Sequence, residues 1–365
     1  MNTRGMWDHL REFDWLLVGS SFVLFAIGML ALHSSSLARG DFGNFEKQLI
    51  FGGIGISCMF IVSFFDYRLL RNDSLLILGL YGIGVAALVG LLLFAPETRG
   101  VKSWYKIGDI SVDPIEYMKL ILVILMAKYL SLRHFELYRI RHIVITGAYF
   151  SVPMFLIALQ PNLGPVLVLF ALWVFMLLVS GIRIRHFLAI LTVVVLIFAL
   201  GWTFFLLDYQ KARILSFVEP ELNPLTIGWS QLQAKIAIGN GGMLGQGYSQ
   251  GTQTQYGFLS EPQTDFIFAA LAEEFGLLGI SVLLFFLILF VWRIFKIGAQ
   301  AQTNFARLFA IGFAVLLIVQ TFINIGMNLG LLPIIGLPLP LVSYGGASLI
   351  FTYIGLGVLL SIKTH

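Results

Sequence analysis

The polar groups able to do chemistry are concentrated in four stretches. Asp265 closes the first, Phe258-Leu-Ser-Glu261-Pro-Gln-Thr-Asp265, just before a long apolar run. A carboxylate there has two readings. It caps the following helix, whose free N–H groups and dipole favour negative charge, or it is a general base at a bilayer boundary, its pKa raised by partial desolvation. Glu116 and Lys119 form the second stretch, three apart behind Pro114, a residue suited to a first helical turn. They read as an interfacial ion pair or as a lysine held toward an anionic headgroup. Lys235 lies in the third, Trp229-Ser-Gln-Leu-Gln-Ala-Lys-Ile-Ala-Ile238. Trp229, Leu232 and Ile236 recur there at helical spacing while Gln231 and Lys235 share another face, as in a short helix lying on a membrane surface. Six glycines follow within 239–251. They permit tight turns and close backbone approach to a ligand, match neither phosphate-binding fingerprint, and by spacing alone read as a flexible loop. The fourth stretch, 326–346, holds Pro333, Pro338, Pro340 and Ser343 among glycines. Such a segment breaks helices, and at membrane depth it must be packed in protein or line a cavity.

The elements that position these residues follow from composition. Of 365 residues, 58% are hydrophobic and 12% charged, with a mean hydropathy of +0.91. A soluble domain is about 25% charged. Soluble enzymes, disordered chains and disulfide scaffolds are excluded, and an all-α polytopic membrane protein is expected. The net charge of +4 is no argument for nucleic acid. The single Cys58 lies in an apolar run, so neither a disulfide framework nor a thiolate metal site is expected. The N-terminus mixes both charge signs and its first apolar run is full length, so no cleaved signal peptide is expected.

Apolar runs fall near 15–34, 49–65, 74–95, 117–132, 142–159, 163–181, 186–206, 266–293, 305–328 and 345–362. At about 20 residues per crossing they make about ten transmembrane helices within one membrane domain, 1–365. With a cytoplasmic N-terminus, 14 of the 23 Lys and Arg fall in inner segments, so both termini are expected inside. The long loop 207–265 then lies outside, as do most acidic residues. Its aromatic and aliphatic content argues for structure over disorder. Charges are sparse at the span centres, which fits an ion-coupled transporter poorly and concentrates the chemistry at the outer surface.

Taken together, these motifs resemble the SEDS family (shape, elongation, division and sporulation), and its rod-elongation branch more than its division branch. The likeness spans essentially the whole chain. It rests on Gln233-Ala-Lys-Ile-Ala-Ile-Gly-Asn-Gly-Gly242, Gly251-Thr-Gln-Thr-Gln255, Thr264-Asp265-Phe266 running into Leu271-Ala-Glu-Glu-Phe-Gly276, and Gly336 to Gly346. The resemblance implies a peptidoglycan glycosyltransferase that polymerises lipid II at the outer face of the bacterial cytoplasmic membrane, with a class B penicillin-binding protein as partner. It places the essential carboxylate on Asp265 and substrate-binding roles on Glu116, Lys119 and Lys235. Arg213, Glu261 and Ser343, from the same outer segments, join the candidate set.

Three departures narrow the mechanism. Gln263 stands where relatives commonly have His, removing a general acid. Asn162 replaces a carboxylate. Ser103 stands where an Arg is usual, leaving Arg99 or Lys102 to supply that charge. The expected reaction is an inverting displacement with Asp265 as base. Lys119 and Lys235, with Arg213, or a divalent cation (Mg²⁺ or Mn²⁺) would stabilise the departing diphosphate. The alternatives are a lipid II flippase and a non-catalytic scaffold for a transpeptidase.

Overall fold

The computed structural model describes residues 11–96, 104–108, 110–133, 140–204, 211 and 227–365. In chain order these form α1 (Trp15–Arg39), α2 (Gly43–Phe64), α3 (Arg68–Asn72), α4 (Ser74–Phe94), β1 (Tyr105–Ile107), β2 (Ile110–Val112), α5 (Pro114–Arg133), α6 (Ile140–Ala158), α7 (Leu163–Val179) and α8 (Ile184–Phe204). Then come α9 (Ile227–Gly241), α10 (Thr252–Gln255), α11 (Ile267–Gln300), α12 (Asn304–Leu329) and α13 (Gly346–Thr364). Among the described residues, 8 helices are long and apolar enough to cross a membrane. The shorter apolar α7 and the more charged α5, which carries Glu116, Lys119 and Lys128, bring the long helices to the ten read from the sequence. This is a multi-pass, all-α membrane protein. β1 and β2 add one small antiparallel hairpin, pairing Tyr105 with Val112, that leads into α5.

The helix ends follow local chemistry. The Asp14 carboxylate accepts from the Leu17 amide at the start of α1, and Asp73 accepts from Leu75 and Leu76 at the start of α4. α1 and α12 stop at the left-handed glycines Gly40 and Gly330. Lipid offers no hydrophobic force between helices, so close approach matters more. α13 packs along α2 where Gly55 meets Tyr353 and Gly357 meets Met59 and Val62.

Two sets of contacts define the faces. On one, Arg293 of α11 grips the Asp14 carboxylate with its Nε (2.9 Å) and Nη2, and the Ser361 hydroxyl of α13 donates to Phe65 O at 2.6 Å. On the other, the Ser34 hydroxyl near the end of α1 donates to the Glu274 carboxylate, and Asn44 Nδ2 donates to Gln263 Oε1 at 2.7 Å. The start of α1 and the end of α13 therefore share a face, and the segment leading to Asp265 lies on the opposite one.

α11 is not continuous. Gly276 (φ 64°, ψ −164°) breaks it, leaving 267–275 as a separate piece before the spanning stretch 277–300. The break frees backbone groups that must find partners. The glycine run supplies them: Gln246 N donates to Glu273 O (2.9 Å), Gly247 N to Glu274 O (3.1 Å), Leu277 N to Gly242 O (2.9 Å) and Leu278 N to Met243 O (3.1 Å). Gly245 (φ +83°) touches Glu274 backbone so closely that a Cβ has no room. Spacing suggested a flexible loop; the segment is instead stitched into the helix break, and the close approach its glycines allow is to the chain itself.

Candidate functional site

Asp265 lies in the turn before α11. The helix N-cap is Phe266, which makes no side-chain cap bond, so the carboxylate precedes the capping position. Its turn is closed by Glu261, whose carbonyl accepts from Thr264 N and Phe266 N, each at 3.2 Å, and whose own φ is +46°.

Partners from distant elements fix this turn. Asn324 and Asn328, one turn apart on α12 and fully buried, both donate to the Asp265 carbonyl, at 3.1 and 2.8 Å. Asn324 Nδ2 also reaches Leu337 O (2.8 Å), and Asn328 Oδ1 accepts from Ala269 N (3.1 Å). The Ser343 hydroxyl donates to Thr264 O at 2.6 Å while accepting from Leu339 N. Gln48 of α2 holds the same segment through Ser343 O and Gly345 N, each at 3.1 Å. Tyr344 N donates to Gln263 O at 2.8 Å. The proline- and glycine-rich segment is thus packed against the Asp265 turn, as irregular backbone at this depth requires. The Asp265 side chain remains part-exposed, with Oδ2 3.4 Å from the position a Cβ would take on Gly336.

Lys235 borders the same region. α9 buries Ala234 and Ala237 against Leu259, Phe266, Ala269 and Ala270. Gln231 Nε2 donates to Leu332 O (3.2 Å), and the exposed Lys235 side chain lies across Gly330 at the end of α12. Asp265 and Lys235 therefore flank the last turn of α12. The apolar stripe of α9 faces outward, with Trp229 38%, Leu232 50% and Ile236 36% exposed.

Glu116 and Lys119 are brought together on α5, with Nζ 2.7 Å from Oε1 and Lys119 only 1% exposed. The Asp113 carboxylate accepts from Ile115 N at 2.8 Å. Burial and the nearby Glu116 push its pKa up to about 7, against the lowering influence of Ile115 N–H and Lys119. Arg213 lies outside the described residues, as do Ser103, Arg99 and Lys102. Among the described residues, no three His, Cys, Asp or Glu gather in a way that could hold a metal ion.

Sequence reasoning missed the two asparagines. Their signal was a pair of amides four apart in an otherwise apolar run. It also left unexplained Glu273 and Glu274, both buried. Glu273 accepts from Gln253 N (2.7 Å), Thr254 N (3.0 Å) and Thr254 Oγ1 (2.8 Å), so its carboxyl oxygens anchor α10.

The family model described as cell cycle protein (FTSW_RODA_SPOVE) matches residues 14–365. The peptidoglycan glycosyltransferase MrdB of Escherichia coli K12 is 35% identical over 364 residues, covering 100% of this chain and 96% of that protein. Stage V sporulation protein E of Bacillus subtilis is 33% identical, covering 96% and 97%. Among solved structures, a chain described under structural coordination of polymerization and crosslinking by a peptidoglycan synthase complex superposes with a TM-score of 0.83 at 30% identity, covering 96% of this chain and 97% of that one. The rod shape determining protein RodA of Thermus thermophilus gives 0.71 at 29%, covering 96% of each. A match of that extent places this chain in the SEDS family of membrane proteins.

Proposed function

We propose that this protein is a peptidoglycan glycosyltransferase that polymerises lipid II during cell elongation. The observation that carries this reading is Asp265. It is part-exposed, held by its backbone between α12 and the 336–346 segment, on the face opposite the start of α1 and the end of α13, in a chain aligned end to end with a named glycosyltransferase.

In the proposed reaction the 4-hydroxyl oxygen of the acceptor sugar attacks the anomeric carbon of the donor sugar. The carbon–oxygen bond to undecaprenyl diphosphate breaks, and Asp265 accepts the hydroxyl proton. One displacement of an α-linked donor gives a β-linked product. Lys235, exposed beside the same helix end, is placed for the departing diphosphate. Lys119, buried and paired with Glu116, and Arg213, which lies outside the described residues, are the other cations proposed for that charge. A divalent cation, Mg²⁺ or Mn²⁺, would if bound stabilise the same departing charge. Glu261 and Ser343 shape the substrate-binding turn through their backbone and hydroxyl contacts.

The active face would be extracytoplasmic in a bacterial inner membrane, where sugars carried by outer-leaflet prenyl tails sit at the depth of these loops. The kinship with a peptidoglycan synthase complex supports a class B penicillin-binding protein as partner. The test is polymerisation of lipid II by the purified protein in detergent, with and without that partner. Removing a base costs about 10²–10⁴-fold, so Asp265→Ala should abolish most product while the protein still folds. Normal polymerisation by Asp265→Ala would overturn the base assignment. A flippase would make no polymer at all, and a scaffold would keep its cellular function in Asp265→Asn.

A further inference from the structure

On the face away from Asp265, a cavity of about 590 Å³ opens where the starts of α4 and α12 meet the end of α5. Its walls include Arg71, Ser74, Lys128, Ser131, Thr303 and Asn304. Lys128 is 7% exposed, and among the described residues its Nζ has no hydrogen-bond partner. A buried ammonium without a partner is costly, so a compensating charge is expected. Among the described residues the acidic group acting on it is Asp73, whose Oδ1 caps α4 through Leu75 N (2.8 Å) and Leu76 N (3.1 Å) and which makes no hydrogen bond to Nζ. The remaining wall is built for an anion. Arg71, whose Nε donates to Asn72 Oδ1 at 3.1 Å, contributes a second cation, Ser74 brings a hydroxyl, and the positive end of α12 enters at its N-cap Thr303, while the Ser131 hydroxyl is already donated to Lys128 O.

We propose that this cavity binds a phosphate group, with Lys128 as its buried contact and Arg71 as its outer one. The cavity lies at an end of the spanning helices, opposite the Asp265 turn, and is far larger than a lone phosphate needs. A phospholipid headgroup and a soluble phosphate share the required chemistry. The proposal concerns the face opposite the polymerising site and stands independently of that reading.

The experiment uses the full-length protein, delipidated in a neutral detergent. Thermal midpoints are followed during titration with short-chain phosphatidylglycerol, with diacylglycerol of the same chain length, and with inorganic phosphate. Phosphatidylglycerol should raise the midpoint and diacylglycerol should not. Lys128→Gln and Arg71→Gln should each weaken the apparent affinity tenfold or more, as loss of a charge-assisted contact does. Lys128→Arg should retain it within about threefold. A response to inorganic phosphate with the same dependence on the variants assigns the site to soluble phosphate; a response to phosphatidylglycerol alone assigns it to the headgroup. Equal protection by diacylglycerol, or unchanged affinity in both Gln variants, overturns the proposal. Should Lys128→Gln fail to fold, the part-exposed Arg71→Gln decides alone.

Discussion

Asn328 donates to the main-chain carbonyl of Asp265 at 2.8 Å across 63 residues of sequence. The position of the acid is therefore fixed through its backbone. Replacing Asn328 by Leu leaves the Ala269 amide without its acceptor and the Asp265 carbonyl with Asn324 alone, a loss of about 1–3 kcal/mol. Lipid II polymerisation should fall by about tenfold or more while Asp265 remains in place. A rate unchanged in Asn328→Leu would show that the carboxylate is positioned by something else.

The stitched break at Gly276 gives a second outcome. Gly245 has a positive φ and meets the Glu274 backbone, so Gly245→Ala combines a left-handed conformation, about 1–3 kcal/mol for a non-glycine residue, with a clash. The thermal midpoint should drop, and limited proteolysis should open new cuts within 239–257. Glu273→Gln should do the same by a different route. It turns an acceptor toward N–H donors into a donor, freeing α10.

Lys235 is expected to act on substrate charge. Lys235→Gln should lower kcat/KM by about 10²-fold with the midpoint nearly unchanged, because the side chain is exposed. Lys235→Arg should recover much of the loss. A large fall in the midpoint would instead mark the lysine as a clasp on the end of α12.

Asp113 gives a pH signature. Its pKa rises from 3.8 to about 7 on folding, so between those values the folded protein binds more protons than the unfolded chain. Stability from this group is greatest near pH 4 and declines as pH climbs to about 7. Asp113→Asn should flatten the midpoint-against-pH curve across that window and be at least as stable as the parent at pH 8. A curve of unchanged slope in the variant would contradict this.

The spans were legible because hydrocarbon imposes a length and a polarity on every crossing, and α1, α4 and α12 lie close to their apolar runs. α2 starts at Gly43, earlier than its apolar run, because Glu46, Lys47 and Gln48 sit in its first turns beyond the oil. Asp265 was legible as a carboxylate at a helix entrance. Its supports were not: Asn324, Asn328 and Gln48 are distant in sequence, and each looks like an isolated amide until tertiary packing aligns it. The Gly276 break was hidden for a related reason. Nothing in Phe275-Gly276-Leu277 reveals that another segment supplies the missing hydrogen bonds.

The broken α11 also separates two mechanical references. Changes in bilayer thickness act on 277–300 through tilt and hydrophobic matching. The 267–275 piece takes its height from the loop sewn to its end and from the amides of α12. A tilt of 277–300 would thus be taken up at the Gly276 break before it reached the Asp265 turn.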